Sequence, residues 1–373
     1  MTENIMARIL NFSAGPAALP LAVLERTQAE FIDYQGCGTS LIEQSHRGPV
    51  YSQVHQEAID LITELAGVPD THQVLFLQGG ASQQFAMLPM NFLPEGGVGS
   101  QLVTGTWSKK AYAEGQNVAA AHGASIELAN PGGELPSAFV NTQQGGQTSS
   151  TAAYYSFASN ETIHGVQFGH EGSPWPEVDA PVFCDMSSDF LWQPLDVSRF
   201  DFIYAGAQKN IGPSGVVVCI VRKSLLERGR SDLPTIFQYR THADKDSMFN
   251  TPPTFAIYMI RNVLEWVRDE GGLSAMKTRN LRKANRLYDV IDSSEFYNCP
   301  VERSCRSTMN VVFRLPNESL EAQFLEESAA QGMSGLKGHR SVGGLRASIY
   351  NAAPYEWADA LGQFMTDFAA RSG

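Results

Sequence analysis

The chain has 373 residues, 43% of them hydrophobic and 18% charged, which describes a globular protein with room for two domains. Its formal charge of −12 argues against a nucleic-acid partner, because phosphate backbones are bound by clustered lysine and arginine. The five cysteines show no CxxC spacing, which argues against a disulfide framework and a zinc site. The sequence shows no leader-like apolar start and no apolar run of about 18 residues, which argues against a membrane span. We therefore expect a cytoplasmic protein.

The N-terminal segment Asn11–Pro16 predicts a turn at its Gly-Pro pair, and Pro20 then begins a helix to about Asp33. The pattern is typical of an arm that crosses to a core. Within the turn, Ser13 offers a hydroxyl that could simply cap the turn.

Two basic pairs lie far apart in the chain. His46-Arg47 precedes a helical pattern that ends at Gly67, and His339-Arg340 lies near the C-terminus. A single pair of this kind is most often a solvated loop. If the two pairs converge on one pocket, they would bind a dianionic phosphate better than either alone.

A strand over Gln73–Leu77 is followed by Gly79-Gly80 and by a helix that begins near Ala81 and Ser82. A glycine turn at a helix start offers free backbone N–H groups to an anion, and the serine adds a hydroxyl. No Gly-Lys-Ser/Thr follows, so this is not a nucleotide-binding Walker loop. We expect the phosphate of a cofactor here.

The next strand covers Gly99–Thr104, and Trp107 leads into a helix over Ser108–Ala120. Burial in a core is the commoner fate of a tryptophan, but its flat face could also stack on an aromatic ligand. The following stretch, 130–150, is rich in Gly, Gln, Ser and Thr and predicts an irregular surface excursion.

The centre of the sequence carries the chemistry. A short apolar strand ends in Asp185, and the next apolar run, from Phe202, ends at Lys209 before Gly212-Pro213 turns the chain into a strand over Gly215–Val221. Desolvation lowers the pKa of an amine and suits it to form a Schiff base with an aldehyde cofactor, whereas a carboxylate can keep a pyridine nitrogen protonated. Both groups would lie at the carboxyl edge of a parallel sheet, where α/β folds bind ligands.

Beyond a rigid Asn250–Thr254 connector and a helix over Phe255–Arg268, Gly271-Gly272 marks a change in composition. Alternating helices and strands then predict a small α+β domain. We expect a large domain over residues 17–270, and a small domain formed by residues 1–16 and 271–373.

A glycine-rich loop in the small domain carries Lys337, His339, Arg340 and, where a strand begins, Arg346. A guanidinium at that position can bind an α-carboxylate through two hydrogen bonds. An exposed arginine needs no ligand, but four basic residues in one shaped loop of an acidic protein favour an anion site.

The spacing of Asp185 and Lys209 resembles that of fold-type-I pyridoxal-phosphate enzymes. The Phe-Ser-x-Gly-Pro opening, the Gly-Thr-Trp-Ser segment at 105–108 and the Asn-Glu-Thr-Ile-x-Gly-Val segment at 160–166 narrow the resemblance to the phosphoserine aminotransferase family of class V, nearly end to end. The resemblance implies an α/β fold with a large domain built on a mostly parallel sheet of seven strands, and a smaller α+β C-terminal domain.

The resemblance also implies roles for individual residues. Lys209 and Asp185 would be catalytic, and the substrate would lie against Ser13, His46, Arg47, His339, Arg340 and Arg346. The cofactor, pyridoxal 5′-phosphate, would contact Ala81, Ser82, Trp107, Thr162, Asp185, Gln208, Lys209, Asn250 and Thr251. Some family members have arginine at the position of Ser82. The Asn250–Thr254 segment would reach the partner's site in a homodimer with shared sites.

The reaction so implied transfers the amino group of L-glutamate reversibly to 3-phosphohydroxypyruvate, and 4-phosphohydroxythreonine of pyridoxine biosynthesis is a plausible second substrate. The alternatives are another class-V aminotransferase, a cysteine desulfurase, a catalytically silent scaffold and a nucleotide-binding module. The glycine-rich loop has no cysteine for a desulfurase, both key residues are present, and no Walker or GxGxxG loop occurs.

Overall fold

The structure is a computed structural model that describes residues 8–130, 148–149 and 151–373. Its strands, numbered along the chain, are β1 (Leu10–Asn11), β2 (His72–Gln78), β3 (Val98–Gln101), β4 (Ser125–Leu128), β5 (Tyr155–Ala158), β6 (Asn160–Glu161), β7 (Val166–Gln167), β8 (Val182–Asp185), β9 (Phe202–Gly206), β10 (Val216–Arg222), β11 (Asn310–Phe313), β12 (Met333–Ser334) and β13 (Leu345–Ser348).

The helices are α1 (Leu21–Glu30), α2 (Pro49–Ala66), α3 (Ala81–Phe92), α4 (Thr106–Ala120), α5 (Lys223–Glu227), α6 (Tyr239–Ala243), α7 (Thr254–Asp269), α8 (Gly272–Asp292), α9 (Glu318–Ala330) and α10 (Tyr355–Ser372). Among the described residues, no helix is both long and apolar enough to cross a membrane.

A seven-stranded sheet forms the centre, with the strand order β2-β10-β9-β8-β5-β3-β4. Only β10 runs antiparallel to its two neighbours, and the other pairs are parallel. The central strands β9 and β10 are apolar and almost entirely buried, as expected for a sheet that helices cover on both faces. The prediction of an α/β fold with a mostly parallel sheet of seven strands is confirmed.

The N-terminal arm joins the C-terminal part of the chain. β1 pairs with β12 in parallel, and Phe12, which is fully buried, belongs to a hydrophobic cluster with side chains of α8, α9, α10, β11 and β13. A separate, larger cluster lies between the central sheet and helices α2 and α7. The arm therefore crosses from one core to the other just before α1.

Several predicted boundaries differ from the structure. α1 ends at Glu30 and not at about Asp33. The differences at β3 and α4 have a local reason. β3 ends at Gln101, and the residues after it leave the ladder because the N–H of Val103 bonds the Asn130 side chain, at 3.0 Å. α4 begins at Thr106, two residues early, because Gly105 forms its N-cap. The irregular excursion predicted over 130–150 lies outside the described residues except at its ends.

The end of α2 gives a test of local structure. Gly67 follows this helix in the left-handed region, with φ of 63°, and a Cβ added there would meet nothing within 4 Å. A side chain at this position should therefore destabilise the protein only through strain in the left-handed backbone. We expect Gly67→Ala to lower the free energy of unfolding by about 1 kcal/mol. Gly67→Asn, whose side chain tolerates this conformation, should lower it by clearly less. Equal losses in urea denaturation would contradict this explanation.

Candidate active site

The site forms where neighbouring parallel strands end. Asp185 is the last residue of β8 and pairs with Tyr204 of β9, whose own end at Gly206 lies three residues before Lys209. Because β8 and β9 run in the same direction, the carboxylate and the amine reach the same edge of the sheet.

Lys209 is half-buried and contacts two further residues. Its Nζ donates a hydrogen bond to Thr162 Oγ1, at 2.8 Å, and lies 5.3 Å from the centre of the Trp107 ring. Burial lowers the pKa of Lys209, and the carboxylates of Asp185 and Glu161 oppose that change. The amine is thus closer to its neutral, nucleophilic form than an exposed lysine would be.

Asp185 is 8% exposed and is oriented by Ser187. The backbone N–H and the hydroxyl of Ser187 both donate to Asp185 Oδ1, at 2.9 and 2.5 Å, and Ser187 Oγ accepts from the N–H of Gly206. Burial raises the pKa of Asp185, whereas the Lys209 charge and the Ser187 donors favour the carboxylate. The hydrogen bonds that described residues make to this carboxylate all involve Oδ1, which leaves Oδ2 for a ligand.

The turn before α3 is built for close approach by an anion. Gly79 has φ of 102° and donates to the carbonyl of Gly215, and the extended Gly80 leads directly into the helix at Ala81. No side chain of the described residues caps this helix, and Ser82 in its first turn is exposed. The N–H groups of the first turn therefore face outward with a hydroxyl beside them.

The N-terminal arm passes directly over the lysine. The N–H of Ala17 donates to the carbonyl of Gln208, at 2.9 Å, and a Cβ on Gly15 would lie 3.3 Å from Lys209 Cγ. Ser13 packs against Gly335, where an added Cβ would lie 2.5 Å from its backbone nitrogen. The arm thus brings Ser13 next to the glycine-rich loop.

Arg346 extends from β13 towards the lysine and is half-buried. Burial lowers the pKa of this guanidinium, and its Nε has no hydrogen-bond partner within the described part of the chain. Its positive charge also lowers the pKa of Lys209. An unpartnered guanidinium beside a reactive amine fits a substrate carboxylate.

A second polar group, the imidazole of His339, lies near Arg346. His339 bonds Ser341 Oγ through Nδ1, at 2.7 Å, and burial together with the charges of Arg346, Arg340 and Lys110 lowers the pKa of its imidazole. Arg340 is exposed at the tip of the loop. These groups surround a region that favours an anion.

A cavity of about 260 Å³ extends below the same loop, lined by Arg346, His164, Arg314, Gly338 and Val342 among others. His164 Nε2 lies 3.0 Å from Thr106 Oγ1, next to the helix start that carries Trp107. The cavity extends from Arg346 along the two-stranded β11–β13 sheet.

The sequence profile of the aminotransferase class-V family matches residues 9–361. The chain belongs to the class-V aminotransferase family. It is 49% identical, over 98% of its length and 99% of the relative, to the phosphoserine aminotransferase of Niallia circulans. It is 50% identical, over 98% of its length and 99% of the relative, to that of Pseudomonas aeruginosa.

Solved structures agree with this assignment. The phosphoserine aminotransferase from Bacillus circulans subsp. alkalophilus has a TM-score of 0.91 at 48% identity, over 98% of this chain and 99% of that one. The pyridoxal-phosphate-bound enzyme from Trichomonas vaginalis has a TM-score of 0.91 at 40% identity, over 96% of this chain and all of that one. The class-V chain described here therefore has the fold-type-I architecture of pyridoxal-phosphate-dependent aminotransferases.

The contacts among the described residues do not join four of the residues singled out in the sequence to Lys209 or Arg346, although Asn250 and Thr251 lie beside Gln78, which precedes the Gly79-Gly80 turn. His46 is half-buried with a ring Nε2 that has no hydrogen-bond partner among the described residues, and Arg47 is exposed. The carbonyl of Thr251 accepts from the side chain of Gln78, and Asn250 lines a small pocket beside that residue. No hydrogen bond or ion pair between described residues joins any of the four to Lys209 or Arg346.

Sequence reasoning missed two residues of this class-V site. Ser187 follows Asp185 by two positions, a spacing typical of a side chain that bonds the backbone just after it, and this signal could have identified it. Glu161 receives no role from the sequence, yet it is fully buried, precedes Thr162 and accepts a hydrogen bond from the N–H of Trp107. Nothing in its local pattern indicates a carboxylate at the start of a helix 53 residues upstream.

The lowered pKa of Lys209 can be tested with an amine-directed reagent. In the protein without cofactor, we expect Lys209 to react at neutral pH faster than the exposed Lys223, because more of its amine is neutral. Since the carboxylate of Asp185 raises that pKa, Asp185→Asn should shift the pH of half-maximal reaction down by about one unit. Peptide mass spectrometry over a pH series would measure both rates, and an upward shift would contradict the electrostatics.

Proposed function

We propose that the chain is a phosphoserine aminotransferase, which reversibly transfers the amino group of L-glutamate to 3-phosphohydroxypyruvate and so serves serine biosynthesis. The products are O-phospho-L-serine and 2-oxoglutarate. The observation that carries the proposal is a half-buried amine that feels the charge of Arg346, whose Nε has no hydrogen-bond partner among the described residues, with His339 and Arg340 nearby. The proposal is supported by relatives with that name, to which the chain is about half identical over nearly its full length.

The residues at the sheet edge fit pyridoxal 5′-phosphate. Lys209 would bind its aldehyde, Asp185 Oδ2 its pyridine nitrogen, and the Trp107 ring its face. The first turn of α3, with Ala81, Ser82 and Gln208 nearby, would receive the phosphate. Thr162, which accepts a hydrogen bond from Lys209, would also contact the cofactor. When bound, the cofactor supplies an electron sink for the bond that breaks at the substrate Cα.

Lys209 then acts as the base of both half-reactions. Nζ would accept the Cα proton of glutamate, and in the second half-reaction it would give a proton to Cα of the product. The lowered pKa keeps this amine neutral in a larger share of molecules. Asp185, held by Ser187, keeps its charge directed towards the ring nitrogen.

Arg346 binds the α-carboxylate in both half-reactions, and Ser13 contributes a hydroxyl near it. His339 and Arg340 bind the distal anion, which is the side-chain carboxylate of glutamate or the phosphate of the oxo acid. One cationic pocket can thus serve two substrates, because both carry an anion at the far end.

We further propose a homodimer with shared sites, in which His46, Arg47, Asn250 and Thr251 reach the site of the partner subunit. The surface before His46 is apolar, with Phe31 46%, Ile32 83% and Ile42 49% exposed. Exposed apolar side chains in this number favour an interface, and a two-fold contact is the common kind.

The division into a large domain of residues 17–270 and a small domain of residues 1–16 and 271–373 stays a proposal, supported by the separate cores and by the pairing of β1 with β12. The five cysteines are all unpaired, which supports a reducing compartment such as the cytoplasm. Cys184, Cys219 and Cys305 are buried, which disfavours the alternative of a cysteine desulfurase.

The function is tested by a coupled assay of the holoenzyme with O-phospho-L-serine and 2-oxoglutarate. We expect turnover with phosphoserine and, at equal concentration, at least about 100-fold lower kcat/KM with L-serine, because His339 and Arg340 would have no anion to bind. Comparable activity on both amino acids, or activity on an unphosphorylated amino acid alone, would reject the assignment.

Shared sites are tested by mixing inactive variants under conditions that exchange subunits. In a shared site, Lys209 comes from one subunit and Arg47 from the other. A hybrid dimer of Lys209→Ala and Arg47→Ala chains therefore carries both substitutions in one site and keeps the other site intact. About half of the dimers are hybrids after random mixing, so about 25% of the parent activity should return. Lys209→Ala mixed with Arg346→Ala is the matched control, since both residues serve the site of their own chain. Recovery in the control, or none in the test mixture, would contradict the arrangement.

A further inference from the structure

Glu161 is a fully buried carboxylate to which the proposed reaction assigns no role. It accepts three hydrogen bonds: from the N–H of Trp107 at 3.1 Å, from the N–H of Ser108 at 2.8 Å and from the hydroxyl of Ser108 at 2.6 Å. All three donors belong to the first turn of α4, so the carboxylate occupies the position that a side-chain cap would take.

The residue at the N-cap of this helix explains why a distant carboxylate is needed. Gly105 has no side chain, and a Cβ added to it would lie 2.2 Å from Glu161 Cδ. Gly105 thus provides no side-chain cap of its own, and its missing side chain leaves space for Glu161 of the short strand β6. Because the cap comes from β6, its hydrogen bonds hold the start of α4 against β6.

This contact connects the two sides of the cofactor site. The N–H of Trp107 is bonded to Glu161, and the Trp107 ring lies 5.3 Å from Lys209 Nζ. The next residue in the chain, Thr162, accepts the hydrogen bond of the same Nζ, at 2.8 Å. One residue therefore sets both the position of the ring above the amine and the position of the hydroxyl beside it.

We propose that Glu161 is a positioning residue that holds the Trp107 ring and the Thr162 hydroxyl in place around Lys209. Its negative charge also favours the protonated form of the Lys209 amine. The inference rests on the proposed function, which puts the cofactor on Lys209.

The electrostatic part follows from the groups that face the lysine. Asp185, Glu161 and Asp189 raise the pKa of Lys209, whereas burial and Arg346 lower it. Burial also raises the pKa of Glu161, but the three donors of the α4 start favour its ionised form. Removing the charge of Glu161 should therefore lower the pH at which the lysine titrates.

Two substitutions separate position from charge. Glu161→Gln keeps the length and removes the charge, so the pH midpoint of the absorption change of the bound cofactor should fall by at least about half a unit. Glu161→Asp keeps the charge but is one methylene shorter, so that midpoint should stay while the Kd for pyridoxal 5′-phosphate, measured by tryptophan fluorescence, rises about tenfold.

Asp201→Asn is the matched control, because this carboxylate also accepts a backbone N–H, from Val182, at the opposite end of β8. Asp201→Asn should change neither the pH midpoint of the absorption change nor the Kd for pyridoxal 5′-phosphate. If Glu161→Gln and Glu161→Asp both behave like the parent, Glu161 is only structural and the inference is wrong. If the parent itself fails to bind the cofactor, the proposed function is wrong instead. Should one variant not fold, the other still decides between these outcomes.

Discussion

The site depends on keeping one amine buried among opposing charges. A lysine that leaves water loses the stabilisation of its charged form, and here two carboxylates, Asp185 and Glu161, restore part of it. The balance leaves the pKa of Lys209 below that of an exposed lysine, and a hydrogen bond to Thr162 orders the amine. Each carboxylate is in turn oriented by N–H and hydroxyl donors, from Ser187 in one case and from the start of α4 in the other.

The fold makes this arrangement possible because it gathers strand ends. β8 and β9 bring Asp185 and Lys209 to one edge, and β5 leads into the short β6 that carries Glu161. β13 of the two-stranded β11–β13 sheet adds Arg346, and the N-terminal arm crosses above the lysine. The proposed substrate groups thus come from elements far apart in sequence, whereas the groups around the amine come from strand ends of the central sheet and from the segments that follow them.

The sequence predicted the central features well because they are local. Continuous apolar runs predict buried strands, and a glycine turn before a helix predicts an anion site, so the regions of Asp185, Lys209 and Ala81 were recognisable. The short strands β1, β4 and β12 were not predicted, since two to four residues carry too little pattern. Glu161 was missed for a different reason: its helix cap is a tertiary contact, which only the packed chain defines.

The central claim is that Lys209 is the residue that binds the cofactor. Reduction of the holoenzyme with borohydride, followed by proteolysis and mass spectrometry, tests it most directly, because the reduced bond survives digestion. The proposed arrangement predicts that the phosphopyridoxyl mass is found on the peptide containing Lys209 and that Lys209→Ala abolishes it. An adduct on another lysine of the parent protein, such as Lys283, would contradict it.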